Sequence, residues 1–354
     1  MFKVIRKRIL LLFVLPIFFF VSACKHIASK VFLFETEVSV THRTPIHDLF
    51  FPMGMHVHRD YLVLSQVGNP GYALDYFYQA YSLSDLSFVG SFGRRGRGPG
   101  EWNNPDIVRS SNMSPYLYLC EVSSRESTAI IHKMTLDTLA QLKEVRTFSI
   151  DKGHIPMNRS VIKNDSLLVF DEFMPDQRAL RMYHLQGEHP VASMKYSSAT
   201  SPQHLDENRG ILMANDSCII FIYVHKEMID FMDWNFSLKK RLNYSAGNPV
   251  IPDDFWEQKC YYAASYLGEK FLYALYSGLT QKERREKSHL PLTLEVFDMS
   301  GTPVCRYTFS EPTPDIFVVD ERTFTLYGYR GSDGMEDYIS VYHLPGLKEY
   351  LQNR

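Results

Sequence analysis

A spacing of about fifty residues recurs along the chain and limits the folds that it can adopt. Six segments share one pattern, a polar or acidic turn followed by an apolar strand, and the corresponding turn residues are Asp60, Pro115, Asp165, Asp216, Glu269 and Glu321. The steps between them are 55, 50, 51, 53 and 52 residues. Similarity at a fixed internal period is typical of repeat architectures. The sequence therefore predicts six copies of one supersecondary unit.

Each segment is followed by a second run of alternating apolar residues and, after a turn, by a third, as in residues 292–298 and 304–309. Alternation and aromatic content at these intervals indicate strands. Three such strands and one preceding strand form a four-stranded antiparallel sheet, the size of a propeller blade. We predict an all-β chain, a six-bladed β-propeller of four-stranded antiparallel blades, as a single domain over residues 31–354. Two unrelated β domains are the alternative, but no linker or composition shift separates them.

The two ends of the chain bear on how the ring closes. Residues 31–40 form an unassigned strand, whereas little follows the sixth unit. We expect this N-terminal strand to complete the last blade, which removes an open sheet edge and leaves the preceding residues beside that closure. Residues 253–267 are the best candidate for a helix, as an insertion of one or two turns.

Residues 1–23 have the layout of an export signal. A basic stretch precedes an apolar run that is too short for a bilayer span of about 20 residues, and the run ends in Val21-Ser22-Ala23-Cys24. This ending resembles a bacterial lipoprotein signal, which implies lipidation of Cys24 and a tether over residues 24–30. A secretory signal or short membrane anchor is the alternative. Lys25 favours the outer membrane of a bacterial envelope, on a face that the sequence leaves undecided.

Charge and cysteine content narrow the function. Removing residues 1–23 takes four basic and no acidic residues from totals of 38 and 40, which leaves a net charge of −6. This balance gives no general attraction to nucleic acid or anionic lipid. The remaining cysteines are unevenly spaced and lack a CxxC motif, so buried thiols are favoured over disulfides; they are Cys120, Cys218, Cys260 and Cys305.

The stretch GRRGRGPGEW, residues 93–102, connects the first repeat to the second, and we call it the arginine loop. Together with the signal at Cys24 and the six units, it resembles the TolB-like six-bladed propeller lipoproteins of Bacteroidetes-type bacteria, in which G-x-G-P-G-E and an aromatic residue recur at this place. The resemblance covers essentially the mature chain. It implies the fold and an exported lipoprotein but no established activity and no catalytic residue.

The arginine loop has two interpretations. Its glycines and free N–H groups can form an anion-binding nest, and arginines add charge-assisted contacts, so the candidate ligand-binding residues are Arg94, Arg95, Arg97, Glu101 and Trp102. The structural interpretation, which we favour, is a corner between blades in which Glu101 pairs with an arginine or caps backbone amides. A phosphate-binding P-loop is not indicated, because no GK[ST] or helix follows.

The strand order predicts which face carries recognition. In blades that run a–b–c–d from the axis outward, the d-to-a connections and the b-to-c loops lie on one face, called the long-loop face. Its b-to-c loops are residues 69–72, 123–126, 171–178, 278–289 and 328–337. Long loops on a rigid scaffold tend to carry recognition.

Metal, cofactor and catalytic motifs are weak. Asp333, Glu336 and Asp337 lack EF-hand spacing, and His56 and His58 share a strand face without a third ligand in view. Residues 281–287 are interpreted as a solvated charged loop. No G-x-S-x-G or comparable nucleophile motif is present, so we predict no metal and no cofactor.

We therefore expect a binding or scaffolding module in the bacterial envelope, held through its N-terminal lipid, with a protein, peptide or glycan as its partner. A hydrolase or lyase acting on carbohydrate or peptide at the central channel is the second hypothesis, because groups from six blades can converge there. A purely structural envelope component is the third.

Overall fold

In blades 4 and 6 the repeated turn is held by a short polar side chain at the start of the second strand. The Oδ1 atom of Asn215 accepts hydrogen bonds from the backbone N–H groups of Ser217 and Cys218 at 2.9 and 3.1 Å, and Asp320 accepts one from Arg322 at 3.0 Å. Asn and Asp favour such turns because the side chain replaces a backbone acceptor. In these two blades the turn that marks the repeat is therefore fixed by its own side chain.

The structure is a computed structural model that describes residues 30–46, 52–66, 75–110, 114–123, 128–151, 160–174, 177–186, 190–197, 206–245, 250–287, 291–331 and 338–354. The signal segment, Cys24 and the candidate calcium ligands Asp333, Glu336 and Asp337 lie outside these residues. None of the helices in the described ranges is long and apolar enough to cross a membrane.

Six sheets surround one axis, and each blade runs from an inner strand at the axis to an outer strand. Blade 1 contains β3 (Pro52–His58), β4 (Tyr61–Gln66), β5 (Tyr76–Ser82) and β6 (Phe88–Arg94). Blade 2 contains β7 (Asp106–Val108), β8 (Leu117–Ser123), β9 (Thr128–Leu136) and β10 (Leu142–Asp151). Blade 3 contains β11 (Val161–Lys163), β12 (Leu167–Met174), β13 (Gln177–His184) and β14 (Pro190–Ser197).

The remaining blades repeat this order, and blades 5 and 6 take their outermost strands from the N-terminal residues. Blade 4 contains β15 (Gly210–Ala214), β16 (Ile219–Tyr223), β17 (Met228–Met232) and β18 (Leu238–Asn243). Blade 5 contains β19 (Lys259–Leu267), β20 (Phe271–Thr280), β21 (Thr293–Asp298), β22 (Pro303–Phe309) and β1 (Phe34–Val38). Blade 6 contains β23 (Ile316–Asp320), β24 (Thr325–Tyr329), β25 (Tyr338–His343) and β2 (Val40–Pro45).

The predicted six-bladed propeller of four-stranded blades is thus confirmed. Apolar residues of each sheet pack against the next blade, as Val63 and Tyr78 of blade 1 do with Leu119 of blade 2. Each described blade buries both faces in this way, because a sheet face that stayed in water would lose the main stabilising effect of folding.

Closure of the ring by the N-terminal segment is also confirmed, with a refinement of its position. The strand that pairs antiparallel with β25 is β2, whereas β1 pairs parallel with β22 as a fifth strand of blade 5. The last blade therefore receives residues 40–45, and residues 34–38 of the predicted strand extend the neighbouring blade.

Lys30, the last residue of the predicted tether, lies between blades 4 and 5 and not at the pairing of β2 with β25. The Lys30 ammonium lies 2.6 Å from Glu227 and 2.8 Å from Glu295, and the Lys30 side chain is only 6% exposed. It also lies over three tyrosine rings, at 4.3 to 5.3 Å from the centroids, namely Tyr244, Tyr262 and Tyr276. We call these five partners the Lys30 cage.

Two short helices complete the described chain. Helix α1 covers Gln281–Glu286 and helix α2 covers Leu347–Gln352. The Tyr350 hydroxyl of α2 donates a hydrogen bond to Asp298 at 3.0 Å, and Leu347 is fully buried. The C-terminal residues therefore dock on blade 5.

Candidate binding face

The arginine loop is closed by its own backbone. The N–H of Trp102 donates to the carbonyl of Arg94 at 2.8 Å, and the N–H of Gly96 donates to the carbonyl of Trp102 at 3.0 Å. These bonds return the chain from β6, the outer strand of blade 1, toward β7, the inner strand of blade 2. The loop is therefore a blade-to-blade corner, as its position in the repeat predicts.

Glu101 lies where the nest hypothesis would put an external anion. Its carboxylate accepts a hydrogen bond from the Gly98 N–H at 2.9 Å and lies 3.7 Å from the Arg94 guanidinium. Gly96 has a φ of +152°, and a Cβ there would clash with Glu101 Oε2. The loop thus requires glycine at this position so that its own acid can approach the backbone.

The three arginines of the loop have different surroundings. Arg95 stacks on Phe77 with its guanidinium carbon 3.8 Å from the ring centroid, whereas Arg94 and Arg97 are exposed. Trp102 is buried and makes an edge contact with His132 at 4.7 Å between ring centroids. The loop therefore presents Arg94 and Arg97 to solvent, while Glu101 contacts the loop's own backbone and Trp102 contacts blade 2.

A second feature of this face was missed in the sequence, an exposed pair of aromatic side chains in the connection from blade 4 to blade 5. Phe255 is 45% exposed and Trp256 is 42% exposed, and their rings meet edge to face at 5.5 Å. The guanidinium of Arg285 lies 5.4 Å from the centroid of the Trp256 ring. With exposed Lys282, these residues form what we call the aromatic patch.

The patch is held by helix caps. Asp254 caps the short 3-10 helix Phe255–Glu257 by accepting from the Trp256 N–H at 2.9 Å, and Thr280 and Glu283 form a capping box on α1. The N–H of Gln281 donates to the carbonyl of Gln258 at 3.0 Å, which joins the two segments. The patch therefore stands on a preorganised platform.

These elements correct two predictions. The expected helix over residues 253–267 is limited to the single turn at 255–257, because residues 259–267 pair with β20 as the inner strand of blade 5. The expected solvated loop at 281–287 contains helix α1. The T-x-x-E spacing of Thr280 and Glu283 is a capping-box signature that could have indicated it.

The axis of the ring contains a cavity of about 580 Å³ bordered by inner strands of several blades. His56, His58, Asp106 and Arg109 are among the residues that line it. Burial, with smaller contributions from Arg109 and His58, lowers the pKa of His56 to about 3; burial and Arg59 lower that of His58 to about 4. Both imidazoles are therefore neutral at pH 7, and no group of three metal-capable side chains occurs in the described ranges.

The cysteines of the propeller are free thiols in the structure, and all four are buried. Burial raises the pKa of Cys120 and Cys305 to about 12 and that of Cys218 to about 11, and it also raises that of Cys260. Thiols with such pKa values are poor nucleophiles at neutral pH. They pack as small apolar side chains.

The sequence matches a known protein family. A family profile described as TolB-like 6-blade propeller-like matches residues 34–322. No curated protein matches the sequence.

Solved structures give two instructive likenesses. A member of the DUF4221 family from Bacteroides vulgatus is 10% identical with a TM-score of 0.56, and the match covers 86% of this chain and 96% of that one. A protein of unknown function from Bacteroides caccae is 9% identical with a TM-score of 0.43, over 77% and 92% of the two chains. At such identities the first likeness shows the fold alone.

Proposed function

Because the chain belongs to the TolB-like 6-blade propeller family, we propose that it is a lipid-anchored binding module of the bacterial envelope. It engages a protein, peptide or glycan through the long-loop face. The observation that carries the proposal is the exposed aromatic patch, which lies on that face between two loops.

The exposed side chains of the patch favour contact with a binding partner over contact with water. Phe255 and Trp256 expose large ring areas on a platform whose backbone is hydrogen-bonded, so little conformational entropy is lost when a partner covers them. Aromatic and arginine side chains are enriched at the energetic centres of interfaces. Arg285 and Lys282 beside the rings supply hydrogen-bond donors for carbonyl, carboxylate or hydroxyl groups of a peptide or glycan.

The arginine loop forms the other side of this face, three blade connections away around the ring. Arg94 and Arg97 are the members of the loop that are available to a ligand, whereas Glu101 and Trp102 position the loop. A partner large enough to span the ring meets the aromatic patch at one side and these two cations at the other.

The test of the proposed face is crosslinking of the protein in its native envelope, followed by mass spectrometry of what is recovered. We expect the double variant Phe255→Ser/Trp256→Ser to recover at least about tenfold less partner, because loss of an interface centre costs about 2 kcal/mol or more. Leu139→Ser is the matched control, since Leu139 is 67% exposed in a c-to-d turn on the opposite face. Equal recovery by the patch variant, or equal loss by the control, would refute the proposed face.

The lipid anchor is proposed from the sequence and has a test of its own. Cys24→Ala removes the acceptor thiol, so we expect the protein to leave the membrane fraction and to lose incorporation of labelled palmitate. Ser29→Ala, in the same tether, should leave both unchanged. Retention of the Cys24→Ala variant in the membrane fraction would contradict the proposed anchor.

A further inference from the structure

The axial cavity is lined by a cation whose side-chain donors make no hydrogen bond to the described residues. Arg109 follows β7, and its backbone is fixed between two blades: its N–H donates to Ser160 at 3.2 Å and its carbonyl accepts from Ile162 at 2.8 Å. Its guanidinium lines the cavity and has neither a hydrogen bond nor an ion pair with any described residue. The position of the side chain at the axis is therefore fixed by the fold, while its donors remain available.

An arginine in such surroundings favours an anion. Burial lowers the pKa of Arg109, yet arginine keeps its charge in proteins. Asp106 and Tyr266 interact with Arg109 electrostatically but form no ion pair with it, so the guanidinium keeps paired donors that match the two oxygens of a carboxylate. A carboxylate that entered the cavity would use both donors.

Other polar atoms at the cavity also lack partners within the described residues. They are Gln66 Oε1, His58 Nε2 and Ser265 Oγ, all of which are buried. Gln66 and His58 are only 5% and 4% exposed. Unsatisfied buried polar groups are uncommon in folded proteins, so several of them beside one cation indicate a place for a polar guest.

The walls of the cavity limit the charge and the size of that guest. Asp106 and Asp315 also line it, so a ligand with two negative charges would meet two carboxyl groups and a single lining arginine. Apolar side chains from separate blades make up much of the remaining wall, among them Met55, Met213 and Phe317. The volume of about 580 Å³ is within the range of small-molecule sites.

We propose that the axial cavity binds a small organic monoanion, a carboxylate that Arg109 holds through its two oxygens while the apolar body of the ligand contacts the surrounding methionine and phenylalanine side chains. This site is separate from the aromatic patch. It does not depend on the function proposed for the long-loop face.

The proposal is tested by calorimetric titration of the purified full chain with hexanoate, and with hexanamide as the uncharged analogue. We expect hexanoate to bind, hexanamide to bind at least tenfold more weakly, and Arg109→Gln to weaken hexanoate binding at least tenfold. Arg109→Lys keeps the charge but loses the paired donors, so its affinity should be intermediate. Arg97→Gln, an exposed arginine outside the cavity, should bind hexanoate as the unaltered protein does.

Further measurements distinguish loss of binding from loss of folding and separate the cavity from the proposed partner face. Circular dichroism melts show whether each variant is folded, and the side-chain ¹⁵Nε resonance of Arg109 should shift with hexanoate in the unaltered protein even if Arg109→Gln does not fold. Phe255→Ser/Trp256→Ser should leave hexanoate binding unchanged, which separates this site from the proposed partner face. Equal binding of hexanoate and hexanamide, no binding of hexanoate, or undiminished binding by folded Arg109→Gln would overturn the proposal.

Discussion

Replacing Lys30 with methionine is expected to lower the free energy of unfolding by about 3–5 kcal/mol, the cost typical of removing one partner from a buried ion pair. The Glu295 side chain is only 1% exposed and accepts from the Lys30 ammonium at 2.8 Å. Arg306 remains at 3.3 Å from Glu295 and offsets part of the loss. Urea unfolding of both proteins measures the difference.

The pH dependence of this variant provides a second check. Burial raises the pKa of Glu295, and Lys30 is the largest influence that opposes the rise. Without Lys30 the carboxyl group of the folded protein holds its proton to higher pH than that of the unfolded chain, so stability falls as pH rises. We expect a smaller deficit at pH 5 than at pH 8.

A matched double variant separates charge from packing in the Lys30 cage. Lys30→Met/Glu295→Gln removes both charges, so it should be more stable than Lys30→Met alone. If Lys30→Met lowers the free energy of unfolding by less than about 0.5 kcal/mol, as a substitution at an exposed site would, the Lys30 cage does not anchor the residues before β1.

Replacing Glu321 with alanine is the other change with a large expected effect, also about 3–5 kcal/mol. The Glu321 carboxylate accepts from the N–H groups of Glu269, Lys270 and Phe271 at 2.8, 2.8 and 3.0 Å, and from the Tyr273 hydroxyl at 3.2 Å. Its removal leaves these donors without an acceptor between blades 5 and 6, and each buried unsatisfied donor costs about 1–3 kcal/mol. Thermal and urea unfolding measure the loss.

Glu321 also predicts a pH dependence. Burial raises the pKa of this carboxyl group from 4.5 to about 7, against the backbone hydrogen bonds that lower it. The folded state therefore binds the proton more tightly, and this contribution to stability is present below pH 4.5 and is lost as pH rises to about 7. Glu321→Gln keeps an acceptor but cannot titrate, so the slope in that interval should flatten; an unchanged slope would contradict this assignment.

The repeat could be predicted from the sequence because each blade has the same local pattern, a polar turn followed by strands of alternating apolar residues. Asp320 and Asn215 cap turns that recur at one spacing, so the six sheets and their order could be predicted from neighbours along the chain. The conformation of the arginine loop was also largely local, since Glu101 lies only three residues from the Gly98 N–H that it caps.

The sites that could not be predicted depend on residues far apart in the sequence. The Lys30 cage combines residues 227, 244, 262, 276 and 295, and no local pattern connects them. Arg109 lines a buried cavity because the inner strands of different blades meet around it. Nothing near it in the sequence distinguishes it from the exposed or paired arginines. For residues 259–267 the sequence predicted a helix because of their alanines and tyrosines. Pairing with β20, which is a tertiary contact, makes them a strand instead.

The fixed position of Lys30 also limits how far the proposed lipid on Cys24 can lie from the propeller. Six residue steps separate Lys30 from Cys24, and an extended chain covers at most about 3.3–3.6 Å per residue, so a lipid on Cys24 would sit within about 20 Å of the groove between blades 4 and 5. The groove between blades 4 and 5 would then be held close to the membrane surface. Partners would be met near that surface and not across the full depth of the compartment.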